Sequence, residues 1–150
     1  MKNLLLSLLL LLIGFGNASA QSASYPLKKA SVIVVRTDDS LAVAYNKLAR
    51  ALVAAGYGIE KSDKDIAYIQ TIPLATAERK AVSVGTRIAL LRQPQCTAIE
   101  IRGTYFIDTP LGTPIKNIGQ GGSATQAAWN ALERVARLYP GGIIAYRVEP

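Results

Sequence analysis

The stretch Gly56-Tyr57-Gly58-Ile59-Glu60-Lys61-Ser62-Asp63-Lys64-Asp65-Ile66-Ala67-Tyr68-Ile69-Gln70-Thr71 decides how the fold is read. It crowds three acids and two lysines into the six residues from Glu60 to Asp65. Such crowding suits either a metal or acid–base site or a turn between two strands. A calcium loop needs oxygen ligands spaced regularly around a glycine and a closing glutamate. No glycine follows Asp65, no Glu follows within reach, and Lys61 and Lys64 compete with a cation. Paired catalytic carboxylates need surroundings that separate their pKa values, and a solvated turn supplies none. The turn accounts for more, with Asp63 bonding its own backbone. Tyr57 to Lys61 alternates as a strand with Tyr57 and Ile59 on one face. Ile66 to Ile72 alternates again, with Ile66, Tyr68 and Ile72 on one face and Ile69 on the other. The pair reads as a hairpin in which Ile59 and Ile66 begin two core strands and Ser62 to Asp65 reverses the chain.

Gly56 fits the left-handed residue that closes a helix. Upstream of it, Leu41, Ala44, Tyr45, Leu48, Leu52 and Ala55 form one helical stripe, after the N-cap candidates Asp38, Asp39 and Ser40. Before that helix, Val32-Ile33-Val34-Val35 is a β-branched run expected to be covered on both faces. Downstream, Val82, Val84, Thr86, Ile88 and Leu90 alternate against Ser83, Gly85, Arg87, Ala89 and Leu91. Thr97–Phe106 alternates in the same way, and Gln93 to Cys96 joins the two as a hairpin. Centred on Pro94-Gln95, that hairpin sets Ile88 opposite Ile101, Leu90 opposite Ile99 and Arg87 opposite Arg102. A loop rich in Gly and Pro runs from Asp108 to Gly122, and loops of this length are often functional or mobile. Ser123-x-x-Gln126 is a capping box. It opens a second helix with the stripe Ala128, Trp129, Leu132, Val135, Ala136 and Tyr139, which Pro140-Gly141-Gly142 stops. Ile143–Arg147 is a candidate last strand. The fold class expected is α+β: an antiparallel sheet of about five or six strands with two helices on one face, in the order β-α-β-β-β-β-α(-β).

The chain opens with Met1 and Lys2, an apolar run from Leu4 to Ile13, and then Ala18-Ser19-Ala20. These are the three parts of a secretory signal peptide, expected over residues 1–20. An exposed leader at 21–27 and a single α+β domain at 28–150 follow. The apolar run is short for a membrane span, so no transmembrane segment is expected after cleavage. No cysteine stands near the cleavage site. The expected product is periplasmic or secreted and is not a lipoprotein. The about 130 residues that remain make one domain.

Cys96 is the only cysteine, so the chain has no internal disulfide, and there is no histidine. Ser–His and Cys–His nucleophile pairs, histidine metal ligands and a histidine pH switch are thereby excluded. No catalytic residue, metal ligand set or cofactor is expected, and the protein reads as a non-enzyme. The net charge of +7 favours anionic partners in general. Export and the scatter of the basic residues argue against nucleic acid.

An early β-α unit ends at Gly56-Tyr57-Gly58-Ile59, followed at once by Ser62-Asp63-Lys64 and the strand at Ile66–Ile72. With the β-α-β4-α order, this resembles the TATA-box-binding-protein-like fold and, more loosely, helix-grip domains. It is similar to small exported bacterial domains of unknown function with that layout, some of them lipoproteins. The resemblance implies a binding or assembly module and transfers no catalytic residue. This chain lacks the lipidated cysteine of those lipoproteins.

Two regions stand out as binding candidates. On the sheet face away from the helices, Arg87, Leu91, Glu100, Arg102 and Phe106 mix charge with apolar surface. Like charges directly opposite are unfavourable unless neutralised, so Glu100 is expected either to make a trio with Arg87 and Arg102 or to leave room for an external anion. Before the second helix, Gly121, Gly122 and Ser123 offer a glycine-rich approach to a helix N-terminus. They lack the lysine that a P-loop places before its Ser or Thr. The function expected is binding of a protein or anionic envelope component through the open sheet face and the 108–122 loop. The alternative is a small-molecule binder with a cavity between the sheet and the last helix, beneath Trp129.

Overall fold

The computed structural model describes residues 22–119 and 121–149. The signal peptide expected at 1–20 lies outside them. The elements run β1 (Ser22–Ala23), β2 (Val32–Thr37), α1 (Leu41–Ala54), β3 (Ile59–Asp63), β4 (Tyr68–Thr71) and β5 (Leu74–Ala75). Then follow β6 (Val82–Arg92), β7 (Thr97–Ile107), β8 (Thr113–Pro114), α2 (Ala124–Arg137) and β9 (Ile143–Arg147). Among the described residues the class is α+β with two helices and one open antiparallel sheet. Three two-residue strands, β1, β5 and β8, exceed the five or six expected. In space the order is β1-β9-β2-β7-β6-β4-β3, with β5 on β6 and β8 on β7. The last strand is therefore not appended at an edge but sits beside β2. The leader is not wholly free either, because Ser22 and Ala23 pair with Arg147 and Tyr146.

The helices form where their stripes require them to. In α1, Ala44, Tyr45, Leu48 and Leu52 are buried, and in α2 the buried side includes Ala128, Trp129, Leu132, Val135 and Ala136. Gly56 has φ +85°, its N–H bonds Val53 O, and Tyr57 N–H bonds Leu52 O. That double bond satisfies the carbonyls left over at a helix end. The start of α1 differs from expectation. Ser40 is the N-cap but its side chain makes no capping bond. The Asp39 carboxylate instead accepts from Lys47 Nζ at 2.6 Å and from the Tyr139 hydroxyl.

Both helices lie on the face that carries Ile33, Val35, Val84, Ile88, Leu90, Ile99 and Ile101. Val32 and Val34 are buried on the opposite face in a small cluster with Ala98, so the β2 run is covered on both sides. The β6–β7 register is the expected one, with Ile88 opposite Ile101, Leu90 opposite Ile99 and Arg87 opposite Arg102.

The β3–β4 hairpin is present, and Asp63 Oδ1 accepts the N–H of Asp65 at 2.9 Å and of Ile66 at 3.3 Å. Its core face is the reverse of the one expected. Ile69 is fully buried, while Ile66 is 67% and Ile72 is 52% exposed. The cause is cross-strand register: Ile69 stands opposite Ile88, which already points into the core. Residues directly opposite share a face, so Ala67, Ile69 and Thr71 point inward and Ile66 and Ile72 cannot. Ala67, in the turn with φ +50°, delays the strand until Tyr68. Among the described residues no helix is long and apolar enough to cross a membrane.

Candidate functional site

The face away from the helices follows from the registers. Arg147 stands opposite Val32, Arg102 opposite Arg87, Arg87 opposite Gln70, and Gln70 opposite Lys61. Basic side chains thus recur along one line that crosses the strands, at about 4.8 Å per strand. A second line holds Ile143, Arg36, Ala98 and Leu91. Leu91 is 45% and Ile143 72% exposed, so that end of the face is apolar with one arginine.

The expected trio of Arg87, Glu100 and Arg102 does not form. Glu100 accepts from Arg102 Nη1 at 2.9 Å and from Arg147 Nη1 at 2.7 Å. Glu149 bonds the same two guanidiniums, Arg102 Nη2 and, at 3.0 Å, Arg147 Nη2. The result is a closed ring of two acids and two arginines with no net charge. Arg87 lies outside it. Its one recorded polar contact is Nη2 to Thr104 Oγ1 at 3.5 Å, and among the described residues no carboxylate pairs with it. The reason is topological. With β9 beside β2, Arg147 reaches Glu100 from the flank opposite Arg87. Burial pushes the Glu100 carboxyl up, but the hydrogen bonds and charges of Arg147 and then Arg102 outweigh it and hold the pKa below the ordinary 4.5. For Glu149 the hydrogen bond from Arg102 is the largest influence, and its pKa is likewise lowered.

Two depressions meet at Arg87. One, of about 370 Å³, is lined by Glu60, Gln70, Pro73, Gly85, Arg87 and Phe106 among others. Gly85 forms part of its floor, and a Cβ there would enter the space in ordinary contact, 3.4 Å from Pro73 Cγ and 3.8 Å from Phe106 Cε2. The other, of about 180 Å³, is lined by Ser31, Arg87, Arg102, Gly103, Lys116 and Glu149, with Pro114 and Ile115. Lys116 comes from the long loop, which is far less free than its glycines suggest. Its β8 segment pairs with Thr104 and Tyr105, Ile115 is buried, and Asn117 is tied to Leu27, Lys29 and Ala30. Residues 108–114 are exposed, with Leu111 82% exposed and Gly112 close against Thr104 and Phe106.

Gly121, Gly122 and Ser123 are not brought to this face. Ser123 Oγ accepts Gln126 N–H at 3.0 Å, as the capping box predicts, and Gly122 O accepts from Arg79. The carbonyl just before α2 is thus tied to the loop between β5 and β6. Glu60 accepts from Gln70 Nε2 at 2.8 Å, beside the first depression, whereas Asp63 is spent on its turn. Cys96 is half-buried in the β6–β7 loop, its thiol near Gln93 Oε1 at 3.3 Å.

Between the sheet and the last helix the packing is tight around Trp129, which is 1% exposed with its ring centroid 6.0 Å from that of Tyr146. The cleft that does open between these layers holds about 150 Å³ and is lined by Tyr57, Leu74, Val84, Ala131 and Arg134 among others. Small-molecule sites usually enclose roughly 300–1,000 Å³.

Sequence reasoning found Arg87, Arg102, Glu100, Leu91 and Phe106 because one hairpin register places them all. It missed Arg147, Glu149 and Lys116, which reach the site from elements with no local pairing signal. The chain matches no protein-family model, and no curated protein matches it in sequence.

Proposed function

We propose that this protein is an exported, non-enzymatic binding or assembly module that takes a protein or anionic envelope component on its open sheet face. The likeness to TATA-box-binding-protein-like exported domains belongs to the same proposal. One observation carries the reading: the open face and the 108–122 loop converge on a single cleft, lined by Lys116 and by Arg87, which has no carboxylate partner among the described residues. An exposed arginine without a carboxylate, next to a groove walled by Phe106 and Gly85, offers both charge and apolar contact to a partner. The groove on this face is larger than the space between sheet and last helix, which favours surface recognition over an enclosed small molecule.

The test is capture from envelope extract by wild type, Arg87→Glu and Arg50→Glu. Arg50 is exposed on α1, on the other side of the sheet, and controls for charge alone. Partners lost with Arg87→Glu and kept with Arg50→Glu support the reading. Identical profiles for all three proteins overturn it.

A further inference from the structure

We infer that the cleft formed by Arg87, Arg102, Lys116 and Ser31 is a site for a phosphate group. This names the ligand chemistry of the face proposed above and rests on that reading. Four observations converge on it. The first is charge. Glu100 and Glu149 are matched by Arg102 and Arg147, so Arg87 and Lys116 contribute positive charge that no described carboxylate balances. A phosphate monoester carries about −1.5 to −2 at neutral pH, which answers that surplus; a single carboxylate does not.

The second is repulsion. Arg87 and Arg102 stand directly opposite across the β6–β7 ladder. Glu100 and Glu149 relieve that repulsion from the Arg102 side alone, so the Arg87 guanidinium is the one left to make a charge-assisted bond to an oxyanion. The third is the donor set. Ser31 Oγ accepts the Glu149 N–H at 3.3 Å, which leaves its hydroxyl hydrogen to donate. The Arg87 guanidinium, the Lys116 ammonium and the Ser31 hydroxyl then face one space as donors, while Arg102 has Nε, Nη1 and Nη2 on Glu149 and Glu100.

The fourth is size. The cleft holds about 180 Å³, some six times the roughly 30 Å³ share of one water. That admits a phosphate with a small attached group. The Glu149 carboxylate also lines the cleft and sets its limit. Held by Arg102 and Arg147, it closes the wall toward β9, so the phosphate sits on the Arg87 and Lys116 side.

Phosphate can reach an exported protein as the free ion or as the monoester headgroup of phosphatidic acid, and both carry more than one negative charge on their free oxygens. Inorganic phosphate is titrated into the purified protein while backbone amide shifts are followed at low salt. The expected result is saturable shifts centred on Arg87, Gly103 and Lys116, with about tenfold weaker binding in Arg87→Gln and in Lys116→Gln. Arg36→Gln, on the same face in the line of Ile143 and Ala98, keeps wild-type affinity. Co-sedimentation with phosphatidic acid vesicles but not phosphatidylcholine vesicles, abolished by Arg87→Gln, identifies the source as a headgroup. Phosphate binding without such co-sedimentation identifies the free ion. The inference is overturned if phosphate gives no saturable shift, or if Arg36→Gln weakens binding as much as Arg87→Gln. Arg87-dependent partner capture without phosphate binding removes this inference alone. Phosphate binding with unaltered partner capture removes the module reading alone.

Discussion

Arg87 and Arg102 face each other across the β6–β7 ladder, and among the described residues only Arg102 has carboxylates to neutralise it. The asymmetry is set by the strand on the far side of β2, which delivers Arg147 and is followed by Glu149. One arginine therefore belongs to the structure and the other faces outward.

Removing the ring's central acid should destabilise the domain. The Glu100 side chain is 11% exposed and serves two guanidiniums. Glu100→Gln leaves both with Glu149 as their one remaining carboxylate, at a cost of about 1–3 kcal/mol, with the exposure of the arginines favouring the lower end. Urea unfolding should show a lower midpoint at unchanged slope. An unchanged midpoint would mean that the ring contributes no net stability.

The same ring sets acid sensitivity. Glu100 and Glu149 have pKa values below the ordinary 4.5 in the folded state. The folded state therefore binds fewer protons than the unfolded chain in acid, and this stabilisation is complete above pH 4.5 and lost as pH falls below it. Unfolding free energy measured at descending pH should drop in that window for wild type. In the double variant Glu100→Gln with Glu149→Gln the drop should be shallower, and equal drops would show that other groups govern the acid limit.

At the alkaline end Tyr146 takes over. Burial first, and then the neighbouring Glu133, push its phenol up to about 12. A raised folded pKa gives stability that is present below the ordinary value of 10 and fades as pH rises from there toward 12. Tyr146→Phe should lose that dependence between those limits. Ultraviolet difference titration should find one tyrosinate that appears only near the top of the range.

Gly103 is a packing position. A Cβ there would stand 2.6 Å from Ile115 Cδ1 and 2.7 Å from Leu132 Cδ1. Gly103→Ala should cost about 1–3 kcal/mol through overpacking. It should also loosen the β8 segment, read as faster hydrogen exchange at Ile115, whose N–H bonds Gly103 O at 3.0 Å. Full stability in Gly103→Ala would show that Ile115 moves aside freely.

The two faces of the hairpin should answer oppositely to mutation. Leu91→Ser on the open face should change stability by no more than about 0.5 kcal/mol. Ile99→Ala on the fully buried face should cost about 2–5 kcal/mol. Thermal denaturation of the pair distinguishes them, and a reversed order would mean that the faces are exchanged.

Elements whose signals are local were legible in the chain. The α1 and α2 stripes, the Gly56 stop and the Ser123 cap needed only neighbours within a turn or two. The β6–β7 register was also legible, because the loop between Arg92 and Thr97 is short and the alternation on both sides is long. The β3–β4 hairpin was legible as a hairpin but not in its facing. Ile66 and Ile72 look more like core than Ala67 and Thr71 do, yet Ile88 on a third strand makes the choice.

By itself the sequence determined two helices, the α+β class, the hairpin that opposes Arg87 to Arg102, and the absence of histidine chemistry. Only the tertiary structure decided that β9 lies between β1 and β2, that Glu100 therefore turns to Arg147, and that Lys116 meets Arg87 across a cleft. The physical reason is range. Periodicity and capping act within a few residues, whereas the choice of strand neighbour rests on burying one shared core among segments more than a hundred residues apart.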